Sequence, residues 1–291
     1  MDVLREPEWR ARERAHADRV DAATAGHRAR RVDGAKHPVE DFLFTYYANS
    51  VTALRRWHPG AGVGLDEAAG TERASWRYHR ADRRVVTVDL DAYLAERGTR
   101  VATIRRLLAA TLDRPGQFGC FGLHEWAMVH RLDQGGVRHP DWPLRLGAAA
   151  TDRVVETHQL ACSHVDAFRF FTPTSRPLNA LQPTRDQQVA LEQPGCLHAG
   201  MDCYKWAYQL VPFVPSELVM DGFDLARDIR VLDMRASPYE LSALGYPAIP
   251  IETREGKAEY VEAQRAFSVR SQDLRRRLLD ATAAALAASA V

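Results

Sequence analysis

The sequence predicts a mainly α-helical fold with a small β element, gathered in a single compact domain, and three observations carry that expectation. Apolar residues recur at helical spacing over long stretches, only two short runs alternate as strands do, and composition is that of an ordinary globular chain. With 291 residues, 46% of them hydrophobic, a sizeable core is available.

Taken in order, residues 1–31 read as an exposed N-terminal helical extension, with Leu4, Ala11, Ala15 and Ala22 spaced among dense charge and His16 and His27 facing solvent. Pro38 suits the first turn of a helix running to Tyr47, with Val39, Phe42, Leu43 and Tyr46 on its apolar face. A loop follows through Trp57, His58, Pro59 and three glycines. The runs WRYHR and RRVVTVDL then predict a hairpin turning at Ala81 and Asp82. Asp91 caps a short helix, and residues 101–112 form a longer one stopped by Pro115 and Gly116. Residues 115–215 are irregular, carry nine prolines, every cysteine and most histidines, and are the expected active-site region. Residues 216–291 predict two C-terminal helices, 216–234 and 256–288.

Composition excludes several function classes. Thirty-nine basic residues balance 38 acidic ones, so no cationic excess exists for non-specific binding to nucleic acid. No apolar run is long enough to span a bilayer and the N-terminus lacks the apolar stretch of a signal peptide, which predicts a cytoplasmic protein without a membrane partner. Four scattered cysteines fit neither a zinc ribbon nor a disulfide scaffold. Phosphate-loop, nucleophile-elbow and dinucleotide motifs are absent. His124-Glu125 opens like a zinc protease helix, but the next histidine, His130, is six positions on rather than four.

What remains is three clusters that place a histidine near a carboxylate in apolar surroundings: residues 118–130 with His124 and Glu125, 161–171 with His164 and Asp166, and 192–206 with His198 and Asp202. An extended strand would align His164, Asp166, Phe168 and Phe170 on one face; a helix would align His198 with Asp202. Imidazoles and carboxylates so grouped are metal-ligand chemistry, and burying carboxylates is costly without a cation to offset it. Each histidine also has the plainer role of a hydrogen-bonded core residue, and Cys120, Cys162 and Cys196 that of small buried hydrophobes. Tyr46, Tyr47, Trp57 and His58 are the next candidates, for proton transfer or stacking.

The stretches HPVEDFLFTYY, RRWHPG, FGCFGLHEWAMV, HVDAFRFF, LEQPGCLHAGMD with YKWAY, and LDMRASPYELSALGY resemble those of an actinobacterial family commonly labelled 3-methyladenine DNA glycosylase. The resemblance covers nearly the whole chain. It implies hydrolysis of the N-glycosidic bond of an alkylated base flipped from the duplex, with Asp166 or Asp202 as the carboxylate and Trp57, Tyr46 or Trp126 stacking on the base. By order and spacing alone, the chain is also similar to histidine-ligated haem enzymes of the tyrosine hydroxylase and tryptophan dioxygenase type. That similarity implies His198 as axial ligand, Tyr46 or Tyr47 and His58 or His79 on the distal side, and arginines such as Arg169 and Arg235 for the propionates.

The expectation is therefore an iron-dependent oxidoreductase, haem or non-haem, acting on a small aromatic or nucleobase-like substrate. His198, His164 and His124 would hold the metal; Tyr46, Tyr47, His58, Glu125, Asp166 and Asp202 would serve catalysis. A metal-free DNA glycosylase is the alternative, and only that reading brings nucleic acid as a partner. The decisive question is whether the imidazoles of residues 124, 164 and 198 converge.

Overall fold

A computed structural model describes residues 2–289; Met1, Ala290 and Val291, the extreme ends of the expected terminal segments, lie outside them. The described residues form eleven α-helices, four short 3-10 turns and one four-stranded sheet, the mainly helical class that the periodicity predicts. None of the helices is long and apolar enough to cross a membrane.

Strand β1 (Asp2–Leu4) leads into α1 (Glu6–Asp33), followed by α2 (Phe42–Tyr46), α3 (Val51–Leu54), β2 (Val63–Leu65), β3 (His79–Asp82), β4 (Val85–Val88) and α4 (Leu90–Leu112). The middle holds α5 (Leu123–Ala127), α6 (Gly147–Thr157), α7 (Val165–Phe168) and α8 (Gln188–Leu191). Then come α9 (Leu197–Gln209), α10 (Ser216–Arg235) and α11 (Arg254–Ser289). These segments fall into two compact units. The first takes the chain up to Ala109, Cys203–Asp224 and the residues from Asp273 on; the second takes Ala110–Asp202 and Leu225–Gln272.

In the first unit α1 has proline in its first turn, acidic Glu6 and Glu8 at its start, Arg30 and Arg31 at its end, and Gly34 beyond it at φ 67°. These are the signals that complement a helix dipole and close a helix C-terminus. The expectation of an exposed extension needs correction. Trp9, His16, Val20 and Thr24 form a buried stripe, and Trp9 packs with Trp57, Leu65, Ala68 and Val86. His16, expected in solvent, is buried with its Nε2 2.9 Å from the Leu54 carbonyl, and His27 lies 3.0 Å from an Asp41 oxygen. Dense charge on the other faces hides this stripe from a residue average. Arg73 is also buried here: it donates to the Trp57 carbonyl at 2.8 Å and to Glu13 at 2.5 Å, with its guanidinium 4.6 Å from the Trp76 ring centroid.

The sheet order is β1-β2-β4-β3, with β1 parallel to β2 and the remaining pairs antiparallel. The hairpin is real, but its turn falls on Arg83-Arg84, two residues beyond the expected position, because Asp82 pairs with Val85 and Arg83 takes φ 52°. Leu4, expected in a helix, belongs to β1. The helix expected from Pro38 begins only at Phe42, since the His37 ring accepts the Val39 and Glu40 amides and so holds a turn there. The two helices expected on either side of Gly98 are one continuous α4.

Glycine is required where α9 and α10 pass closest within the first unit: a Cβ on Gly222 would sit 2.9 Å from the Cα of Tyr204. Backbone cannot rotate aside, so Gly222→Ala should destabilise the protein by about 1–3 kcal/mol in urea unfolding.

Candidate functional site

The site lies wholly in the second unit and is built from four short pieces of chain. Gly122, at φ 70°, lets the chain turn sharply into α5; a Cβ there would also stand 3.4 Å from the Tyr260 ring. That turn places His124 in the first turn of α5, while His198 occupies the first turn of α9 and Asp233 the last turn of α10. His164 caps α7, its Nδ1 accepting from the Ala167 amide at 3.3 Å.

The three histidines gather around one centre. The rings of His124 and His198 are 4.4 Å apart and nearly perpendicular; those of His164 and His198 are 5.3 Å apart. One donor atom from each of His124, His198 and Asp233 lies within 4.8 Å of the other two, and all three residues are buried. His124 Nε2 and Asp233 Oδ1 approach to 3.0 Å, yet neither atom has a hydrogen-bond partner of acceptable geometry. The imidazole of His198 makes no hydrogen bond among the described residues. Two nitrogens and one carboxylate oxygen thus face a shared point without satisfying one another, the donor set of a two-histidine, one-carboxylate metal site.

Neighbouring groups hold these donors in place. Arg230, buried one turn before Asp233, donates to Asp233 Oδ2 at 3.1 Å and to Glu125 Oε1 at 2.7 Å, which leaves Oδ1 to the histidines. Glu125 is therefore an ion-pair partner rather than a ligand. Burial works against its ionisation, but Arg230 and His124 outweigh burial and hold its carboxyl below the usual range. His164 differs from the expected ligand. Its Nδ1 accepts from the Ala167 amide, and its buried Nε2 lies 3.4 Å from Asp202 Oδ2 and 4.0 Å from Glu192 Oε2 without a hydrogen bond, outside the group formed by His124, His198 and Asp233. The extended strand expected for this segment is a helical turn, and Asp166 goes to Arg185 instead of joining His164.

Electrostatics separate His124 from His198. Burial, reinforced by the positive charge of His124, pushes His198 well below its ordinary value and keeps it neutral. Burial also opposes protonation of His124, but the Asp233 carboxylate outweighs it and raises that pKa.

Cys120, Cys162, Cys196 and Tyr260 join His124 and His198 around an inner cavity of about 20 Å3, room for one water-sized molecule. Burial raises all three thiols, Cys162 to about 12, so they stay protonated and form an apolar wall. A wider cleft of about 340 Å3 shares Cys120, Leu123, Ala161 and Gln193 with this cavity and adds Gln117, Phe121, His158 and Gln159 nearer the surface.

Other expected site residues lie elsewhere. Tyr46, Tyr47 and His58 belong to the first unit and line neither cavity. Arg169 is exposed against the Phe170 ring, and Arg235 donates to the Pro247 carbonyl and Glu259, so neither reaches the histidines. Asp233 is the donor in this group that lies outside the candidates drawn from the sequence, where residues 216–234 predict a helix and nothing more. The available signal was an acid on the apolar face of that helix, four residues after Ile229 and beside Leu232.

Comparison with protein-family models, curated proteins and solved structures gives no match to this chain.

Two outcomes follow from this geometry. Arg230→Met strips the cation from two buried carboxylates and should cost about 3–5 kcal/mol in urea unfolding. His198 and His139, the latter lowered to about 4 chiefly by burial, are neutral in the folded protein, whereas in the unfolded chain both protonate near pH 6.5. The unfolded state then binds more protons, so the stability they contribute is complete above pH 6.5 and is lost as pH falls toward 4. His124, shifted upward, works in the opposite sense. Unfolding of metal-stripped protein from pH 7 to 4 should show declining stability, with a shallower decline in His139→Asn.

Proposed function

We propose that this protein is a mononuclear non-haem iron enzyme, an oxidoreductase that works on a small aromatic or nucleobase-like molecule. The observation carrying this reading is the convergence of His124, His198 and Asp233 on one buried point, with the His124 and Asp233 donor atoms left unsatisfied beside a water-sized cavity. Two imidazoles and one carboxylate that leave positions open are the donor set of non-haem iron oxygenases, and a hydrolytic zinc centre of the same composition is the competing reading that metal analysis separates. Bound there, iron would supply redox chemistry toward dioxygen or a peroxide.

The chain's own residues have defined tasks in this reading. Burial keeps the His198 imidazole ready for a cation, while the Asp233 carboxylate makes His124 hold a proton more tightly than an ordinary imidazole, so metal uptake weakens in acid. Arg230 fixes which oxygen Asp233 presents, and the protonated cysteines give the inner cavity an apolar wall. Substrate would enter by the cleft, where the amides of Gln117 and Gln159 offer hydrogen bonds and Phe121 an aromatic contact; its volume falls in the small-ligand range. A haem is disfavoured on size, since the inner cavity beside His198 admits no macrocycle.

Base excision draws less support. Asp166 is paired with Arg185, Asp202 faces His164, and Trp57 and Trp126 are fully buried with their indole N–H groups donated to Glu217 and the Ala236 carbonyl. None is placed to receive a flipped base.

Protein produced with iron supplied should carry about one iron per chain, show no Soret band, and give a ferrous nitrosyl signal in electron paramagnetic resonance. His198→Ala and Asp233→Asn should each lose most of that iron while retaining their helical circular dichroism. Iron-free wild-type protein, or equal iron in both variants, would overturn the reading.

A further inference from the structure

A separate cavity of about 240 Å3 opens in the first unit, lined by Arg56, His58, Trp76, Tyr78, Tyr208 and Ser216 among others, and nothing above assigns it a role. Its chemistry is unlike that of the histidine cluster. Three of its walls are aromatic, two arginines reach it, and no acidic side chain lines it.

The polar groups differ in how far they are already engaged. The Ser216 hydroxyl accepts from the His58 amide at 2.9 Å and lies 3.4 Å from the Arg56 carbonyl. Arg77 is paired with Glu96. Arg56, in contrast, makes no ion pair among the described residues; its guanidinium lies over the Trp76 ring, 5.3 Å from the centroid. His58 is only 6% exposed, and its Nδ1 is buried without any partner. Burial, aided by His79, pushes the imidazole down to about 3, so it is a neutral ring with an unused nitrogen. Nearby, Tyr78 has φ 61°, a backbone conformation that bulky residues rarely adopt. It is held there by the Asp89 amide on its carbonyl at 2.8 Å and by Arg97 on its hydroxyl at 3.3 Å.

We propose that this cavity is a binding site for a small planar aromatic carboxylate, with the ring against Trp76, Tyr78 and Tyr208 and the carboxylate held by Arg56 and His58 Nδ1–H. Size fits: a cavity of roughly 150 Å3 accepts benzene, and 240 Å3 adds room for a carboxylate or a second ring. Charge selects the anion, since an arginine fork without a counter-ion pairs with a carboxylate in two parallel hydrogen bonds. Aromatic walls select the ring. Binding would also satisfy the buried Nδ1, which otherwise stays without a partner. The site does not depend on the metal reading, because its lining belongs to the first unit and His124, His198 and Asp233 belong to the second.

The test is a titration of the intact chain with benzoate and with indole-3-carboxylate, followed by calorimetry and by tryptophan fluorescence. Saturable binding at about one ligand per chain is expected, with benzamide and indole at least roughly tenfold weaker. Arg56→Met, a surface change that leaves folding intact, should weaken the carboxylates about tenfold and bring them level with their neutral counterparts. His58→Phe should weaken them as well, and His198→Ala should leave them unchanged. Absence of saturation, equal binding of the neutral compounds, or indifference to Arg56→Met would overturn the proposal. Loss of binding in His198→Ala would overturn it too, since the ligand would then sit at the histidine cluster.

Discussion

A carboxylate withdrawn from water must meet a positive charge, and in the second unit one arginine meets that need for two of them. Arg230 bridges Glu125 and Asp233 with its own charge buried between them. Because only one Asp233 oxygen is committed to it, the other is left facing two imidazoles, and the polar centre takes its shape from this unequal division. The sharp turn at Gly122 and the first turn of α9 then have only to deliver His124 and His198 to that oxygen.

The two nitrogens of each imidazole explain why similar histidines act differently. His164 spends Nδ1 on capping a helical turn, which turns Nε2 toward Asp202 and Glu192. His124 keeps a ring nitrogen uncommitted beside Asp233, and His198 is held neutral. In the first unit, His16 gives its Nε2 to a backbone carbonyl while His58 retains an unpartnered Nδ1. Burial is common to all of them; the second nitrogen's partner decides what each can still do.

Much of the fold was legible because periodicity is a local property. α10 and α11 lie within two residues of their expected limits, and the hairpin, the irregular middle and the helix ending near Leu112 all follow from spacing and breakers. Parts that failed depend on distant chain. The pairing of β1 with β2 cannot be read from three residues, and the burial of α1 rests on a stripe that its charged faces obscure. The meeting of His124, His164 and His198 was foreseeable as chemistry, since each stood beside an acid in apolar surroundings. Asp233 was not, because a single acid on a helix reads as surface until its neighbours on that face are known to be buried. Asp166 misled for the opposite reason: its cluster suggested a catalytic carboxylate beside His164, whereas Arg185, nineteen residues on, claims it.

The two units interleave along the chain, the second being resumed at Leu225 after the first has claimed residues 203–224. Neither can be cut out as one uninterrupted stretch of gene. Recombination that exchanges a contiguous internal segment therefore cuts through at least one of them.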